Sequence, residues 1–180
     1  MILEGLKMKY FHSLIFIIAG FLFLIASFPV QALTHQQKEI LDKAQFYGQM
    51  VGAPETIQAI VLQESSAGNA GRIGDDGNSI GIMQMRPSTA AWVSSKYSWL
   101  PQYKTEFEYA QALLNDNYAL LVGALYFKEC SKVYHNWRQA VVCYNTGIRG
   151  ASKMKSSKIN SHKYLTNIKR RLKYVRKYRS

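Results

Sequence analysis

The chain has 180 residues and a net charge of +12, from 23 Lys and Arg against 11 Asp and Glu, with two cysteines and four histidines. That length points to one domain, and the scattered histidines show no metal-ligand spacing, so neither a metal nor another cofactor is expected. The charge is segregated: the 51 residues after Glu129 hold 14 basic and no acidic side chains, and everything before them nets −2. A strongly basic end implies either a polyanionic partner or a solvated helix face.

Residues 1–32 read as a secretory signal. Lys7 and Lys9 precede an apolar run over 14–28, and Val30, Gln31 and Ala32 form a small-x-small site with cleavage expected after Ala32. An uncleaved anchor is the competing reading, and Met8 would serve equally well as a start. Export places the protein in the periplasm or cell envelope. Thr34 and Gln37 then form a capping box, with Ile40, Leu41, Ala44 and Tyr47 giving a helical stripe up to Gly52.

Pro54 suits the first turn of the next helix. Along it Ile57, Ile60 and Val61 recur at helical spacing, and Glu64 falls on the same apolar face. A carboxyl turned toward a core favours its neutral form, and the negative end of the helix dipole acts the same way. The result would be a proton donor near neutral pH, as a general acid requires. The alternative is a helix that ends a turn earlier and leaves Glu64 in water.

Residues 68–81 hold five glycines with Asp75, Asp76, Asn78 and Ser79, an irregular loop or small hairpin. Pro87 opens a short helix through Trp92, and helical patterns occupy 106–114, 117–133, 137–144 and 164–178, with a polar, mobile stretch at 153–161. Cys130 and Cys143 flank the turn at 134–136 at similar distances. In an oxidising compartment they are expected to form a bridge rather than remain as buried thiols. The fold class is mainly α: a compact helical domain with the glycine loop beside a cleft. The predicted boundaries are a signal at 1–32, the domain at 33–152 and a basic C-terminal extension at 153–180.

Three short motifs occur in order: Glu64-Ser65; Gly81-Ile82-Met83-Gln84; and Cys143-Tyr144-Asn145-Thr146-Gly147. Singly each is weak, since a Gly-x-x-Gln turn or a Tyr-Asn-x-Gly helix end has ordinary structural uses. In register they resemble the soluble-type lytic transglycosylases of bacterial cell walls, over about residues 40–147. Ile82 stands where that family usually has Leu, and Cys143 where it has Ala.

The resemblance implies a lysozyme-like fold and a peptidoglycan substrate. Glu64 would act on the bond between N-acetylmuramic acid and N-acetylglucosamine, first as acid and then as base, leaving a 1,6-anhydro sugar. It further implies that Ser65 and Tyr144 orient Glu64 or the scissile oxygen, that Gln84 and Asn145 bind sugar substituents, and that Met83 supplies wall or backbone contacts. Tyr164 is expected in the core or at the surface rather than in the cleft.

Two other readings compete. A goose-type lysozyme would use Asp75 or Asp76 to position water, against a plain turn role for both. A non-catalytic binding module would use the basic end, where Leu165, Ile168, Leu172 and Val175 make an amphipathic stripe suited to an anionic wall or membrane surface; export argues against nucleic acid. The bland account is that this stripe docks the last helix onto the core. Small exported domains of this kind also resemble the accessory lysins of envelope-spanning secretion or conjugation machines.

Overall fold

The computed structural model describes residues 32–68, 73–74 and 77–179. The predicted signal and its cleavage site up to Gln31, and Asp75 and Asp76, lie outside the described residues. Thr34–Ser180 forms one compact unit.

Nine helices and one two-stranded sheet make up the described part. The helices are α1 (His35–Met50), α2 (Pro54–Ser65), α3 (Pro87–Lys96), α4 (Glu106–Leu113), α5 (Asp116–Tyr134), α6 (Trp137–Thr146), α7 (Ile148–Ser152), α8 (Ser156–Asn160) and α9 (Lys163–Arg179); the strands are β1 (Ile73–Gly74) and β2 (Ser79–Ile80). The fold is mainly α, as read. No helix of the described residues is long and apolar enough to cross a membrane.

Local chemistry explains the boundaries. The capping box at Thr34 forms, with the Thr34 N–H donating to Gln37 Oε1 at 2.9 Å and the Gln37 N–H donating to Thr34 Oγ1 at 3.2 Å. A second one, at Thr105 and Glu108, starts α4. Pro87 sits in the first turn of α3, which runs four residues past the expected Trp92 to Lys96.

Helices α2 and α5 are apolar on most sides and form the centre. Ile57, Ile60, Val61, Leu120 and Val122 are fully buried. Helices α1 and α9 both pack on α2, and α6 packs on α5. The one side-chain amide buried among the described residues, Gln58, donates through Nε2 to the Leu41 carbonyl at 2.9 Å and so ties α1 to α2. At the other side Trp137 Nε1 donates to Thr56 Oγ1 at 3.1 Å, joining the first turns of α6 and α2.

One expectation changes. The stretch 153–161 contains α8, whose Ile159 is buried at 5% exposure: one apolar anchor in a polar run is too little for periodicity to reveal. Within 153–180, Leu165, Ile168 and Val175 are buried in the same compact unit as the preceding helices. Of the two readings of that stripe, a surface-binding face or a face docked on the core, the packing follows the second, with Leu172 half-buried.

Cys130 and Cys143 are bonded, 5.9 Å apart at Cα, and join α5 to α6 across the turn between them. Closing a loop of this size contributes about 3 kcal/mol.

Candidate active site

Helix α2 runs to Ser65, so Glu64 stays on the apolar face instead of falling into water. Ser66 comes next in the left-handed conformation, φ 52°, and its N–H caps the Leu62 carbonyl. Burial pushes the Glu64 carboxyl from the usual 4.5 up to about 7, and a hydrogen bond donated by the Tyr164 hydroxyl to Glu64 Oε1 pulls only partly the other way. At about 1.4 kcal/mol per pH unit, ionising this carboxyl costs the fold about 3 kcal/mol more than in water. Burying Ile57, Ile60 and Val61 on the same face contributes about 2 kcal/mol each, which outweighs that cost.

Glu64 opens onto a cleft of about 510 Å³. One wall comes from the glycine hairpin and the segment running on from it into α3: Ser79, Gln84, Met85, Arg86 and Thr89. The other comes from Tyr126 of α5 and from Tyr144, Asn145, Thr146 and Gly147 at the end of α6. Glu64 is the only carboxylate among the described residues lining the cleft.

The hairpin wall is built on a tight backbone reversal. The Ile80 and Met85 N–H and carbonyl groups exchange bonds at 2.9 and 3.0 Å, enclosing the Gly81–Gln84 turn. Gly81 has φ 75°, and a Cβ there would lie 2.0 Å from the Leu113 carbonyl oxygen, so only glycine fits. Gln84 takes a left-handed φ of 46°, at a cost of about 1 kcal/mol. Its Nε2 donates to the Gly81 carbonyl at 2.9 Å, which fixes the amide at the cleft edge.

Tyr144 joins the two walls. Its hydroxyl donates to the Met83 carbonyl at 3.1 Å, a contact that needs Gly123 on α5, where a Cβ would stand 2.6 Å from Met83 Cε and 3.2 Å from the Tyr144 oxygen. Burial first, then the nearby Glu64 charge, hold the Tyr144 phenol well above its ordinary pKa, so it remains a donor. The Tyr126 ring packs against Tyr144 at 5.5 Å and meets Trp92 edge-on at 6.2 Å.

The residues singled out in the sequence are therefore placed unequally. Glu64, Gln84, Tyr144 and Asn145 line the cleft. Met83 is fully buried and absent from the lining; its carbonyl accepts the Tyr144 hydroxyl. Ser65, 1% exposed, is absent from the lining: its hydroxyl donates to the Val61 carbonyl at 3.2 Å and accepts from the Gly68 N–H at 3.0 Å, so it secures the loop after α2 rather than touching Glu64. Tyr164, expected in the core or on the surface, is buried yet bonded to Glu64, and its phenol is held well above the ordinary range by burial and by the Glu64 charge. Tyr126 was not foreseen at all. Among the described residues no cluster of His, Cys, Asp or Glu is spaced to hold a metal.

The family model described as the transglycosylase SLT domain matches residues 44–167, which takes in all three motifs and reaches Tyr164 on α9. The chain belongs to the transglycosylase SLT domain family. Membership carries a lytic transglycosylase-type function on peptidoglycan and the lysozyme-like superfamily fold. No curated protein matched the chain closely enough to count as a relative. Within this SLT domain, Glu64, the Gly81–Gln84 turn and the Tyr144-Asn145 helix end meet at one cleft, although 80 residues separate the first from the third.

Proposed function

We propose that the protein is an exported lytic transglycosylase that cuts peptidoglycan between N-acetylmuramic acid and N-acetylglucosamine with Glu64 as its single acid and base. The observation that carries this reading is a buried carboxyl whose pKa is raised to about 7, alone among the described carboxylates at a sugar-sized cleft.

In the first half-reaction Glu64 gives its proton to the glycosidic oxygen as the bond from the muramoyl anomeric carbon to that oxygen breaks, and the glucosamine chain leaves with a hydroxyl. The muramoyl N-acetyl group steadies the positive charge at the anomeric carbon. In the second half-reaction the Glu64 carboxylate takes the proton of the muramoyl C6 hydroxyl, whose oxygen closes onto the anomeric carbon. Glu64 is then reprotonated, no water is consumed, and the product is a 1,6-anhydro sugar. A pKa near the working pH lets one carboxyl serve in both directions. Gln84 and Asn145 hold sugar substituents, and the Tyr126 ring offers an apolar face to the sugar. Tyr144 and Tyr164 fix the walls and Glu64.

Export from the cytoplasm is part of the same proposal. It is supported by the charged, apolar and small-residue order of residues 1–32 and by a disulfide that an oxidising compartment preserves. Service to an envelope-spanning secretion or conjugation machine is the role that such a small wall-opening domain would suit.

Mass spectrometry of material released from purified peptidoglycan tests the chemistry. Muropeptides lighter by about 18 Da, one water, than hydrolysis products, and lost with Glu64→Gln, are the expected result. Reducing-end products that vanish with Asp75→Asn and Asp76→Asn would replace this reading with a lysozyme.

A further inference from the structure

We infer that a second, shallow groove at the opposite end of α2 from Glu64 binds carboxylates borne on the peptide stems of the glycan strand. The groove, about 490 Å³, lies between the first turns of α2 and α6 and the middle of α9. Its floor is the Trp137 ring, 36% exposed and held in place by its N–H bond to Thr56. Lys169, Lys173 and Arg176 line it from successive turns of α9. Against them stands one acid, Glu55, which accepts from Arg176 Nε at 2.9 Å. No ion pair of the described residues engages Lys169 or Lys173, so the groove keeps a local excess of two positive charges.

That lining selects its ligand. An amphipathic helix from a protein partner needs apolar anchors at several turns, and here the apolar lining is Trp137 and Leu172 alone. An exposed indole beside two lysines fits instead a flat sugar or peptide face carrying an ionised carboxylate. Peptidoglycan presents such groups at every peptide-bearing repeat. Glu55 and Glu64 are nine residues apart on one helix, so groove and catalytic carboxyl are separated by about 13 Å along α2. A polymer held at both points gains avidity without a new contact at the cleft. The inference rests on peptidoglycan being the substrate.

The test is cosedimentation of the full chain with purified sacculi at low salt, in a Glu64→Gln background so that nothing is cleaved. Lys169→Gln with Lys173→Gln should weaken binding about tenfold, about 1.4 kcal/mol. Lys163→Gln with Arg179→Gln, which removes the same charge from α9 outside the groove, should change it less than about twofold. Sacculi whose carboxylates have been amidated should bind the parent no better than the groove variant binds native sacculi. Equal weakening by both pairs, or undiminished binding of amidated sacculi, overturns the inference; undiminished binding by the groove variant does too, and turns the groove toward an acidic protein segment. The same lysine pair placed on wild-type Glu64 separates the two failures. Release of anhydro products with an unchanged rate on short soluble strands leaves the catalytic reading standing whatever the groove does, and no release by the wild type removes that reading without touching the sacculus-binding comparison.

Discussion

The Tyr164 hydroxyl donates to Glu64 Oε1, joining the first turn of α9 to the last turn of α2 across 100 residues of chain. Because the donor favours the ionised carboxyl while burial opposes it, this bond limits how far the Glu64 pKa rises. In Tyr164→Phe the lowering influence is gone and the pKa must climb further. A reaction that begins with proton donation loses kcat/KM as pH rises through the pKa of the free enzyme. The descending limb should therefore lie near pH 7 in the wild type and move to higher pH in Tyr164→Phe. A limb that stays put or moves down would mean the phenol serves packing alone.

Stability should carry the mark of the same carboxyl. Its folded pKa, about 7, exceeds the 4.5 of an ordinary glutamate, so the associated stability is fully present below 4.5 and is lost as pH rises through 7. Glu64→Gln removes the ionisation. Its advantage over wild type in urea unfolding should grow between pH 4.5 and 7 to about 3 kcal/mol and then level off. A difference that is constant with pH would contradict the buried, proton-holding carboxyl.

The Cys130–Cys143 bond spans the base of the α5–α6 pair that carries Tyr126 and Tyr144. Reducing it should cost about 3 kcal/mol, seen as a lower Tm in the presence of a thiol reductant. Activity should fall with the unfolded fraction, because neither sulfur of the bridge lines the cleft. Free-thiol titration of the denatured, unreduced protein checks the bond directly.

Gly81→Ala should be among the most damaging single substitutions. It combines a left-handed φ of 75° with a Cβ that would meet the Leu113 carbonyl oxygen at 2.0 Å. A loss of more than about 2 kcal/mol is expected. Since Gln84 bonds to the Gly81 carbonyl, activity should drop further than the folded fraction, measured as turnover per folded molecule.

How much of this was legible depends on where each signal lies. Glu64 could be read because a carboxylate interrupts an apolar stripe inside one helix, and the first helix because its capping box is local. Tyr164 could not. An aromatic at the head of a helix that also carries Leu165 and Ile168 looks like any core residue, and nothing within α9 reveals a partner 100 positions away. Ser65 shows the opposite case: beside a carboxyl on an apolar face it invites a chemical role, but in the fold its hydroxyl bonds the Val61 carbonyl and the Gly68 N–H. The docking of α9 was present in the sequence as one of two readings of the same stripe, and only the packing of α2 and α6 against it decides between them.

The position of Tyr164 also sets an order of events in the life of the molecule. A ribosome makes Glu64 early and α9 late, so a chain that has not yet received residues 163–179 has the acid of this site without the phenol that moderates it and without the helix that covers α2. A molecule without residues 163–179 lacks both the phenol bonded to Glu64 and the helix packed on α2.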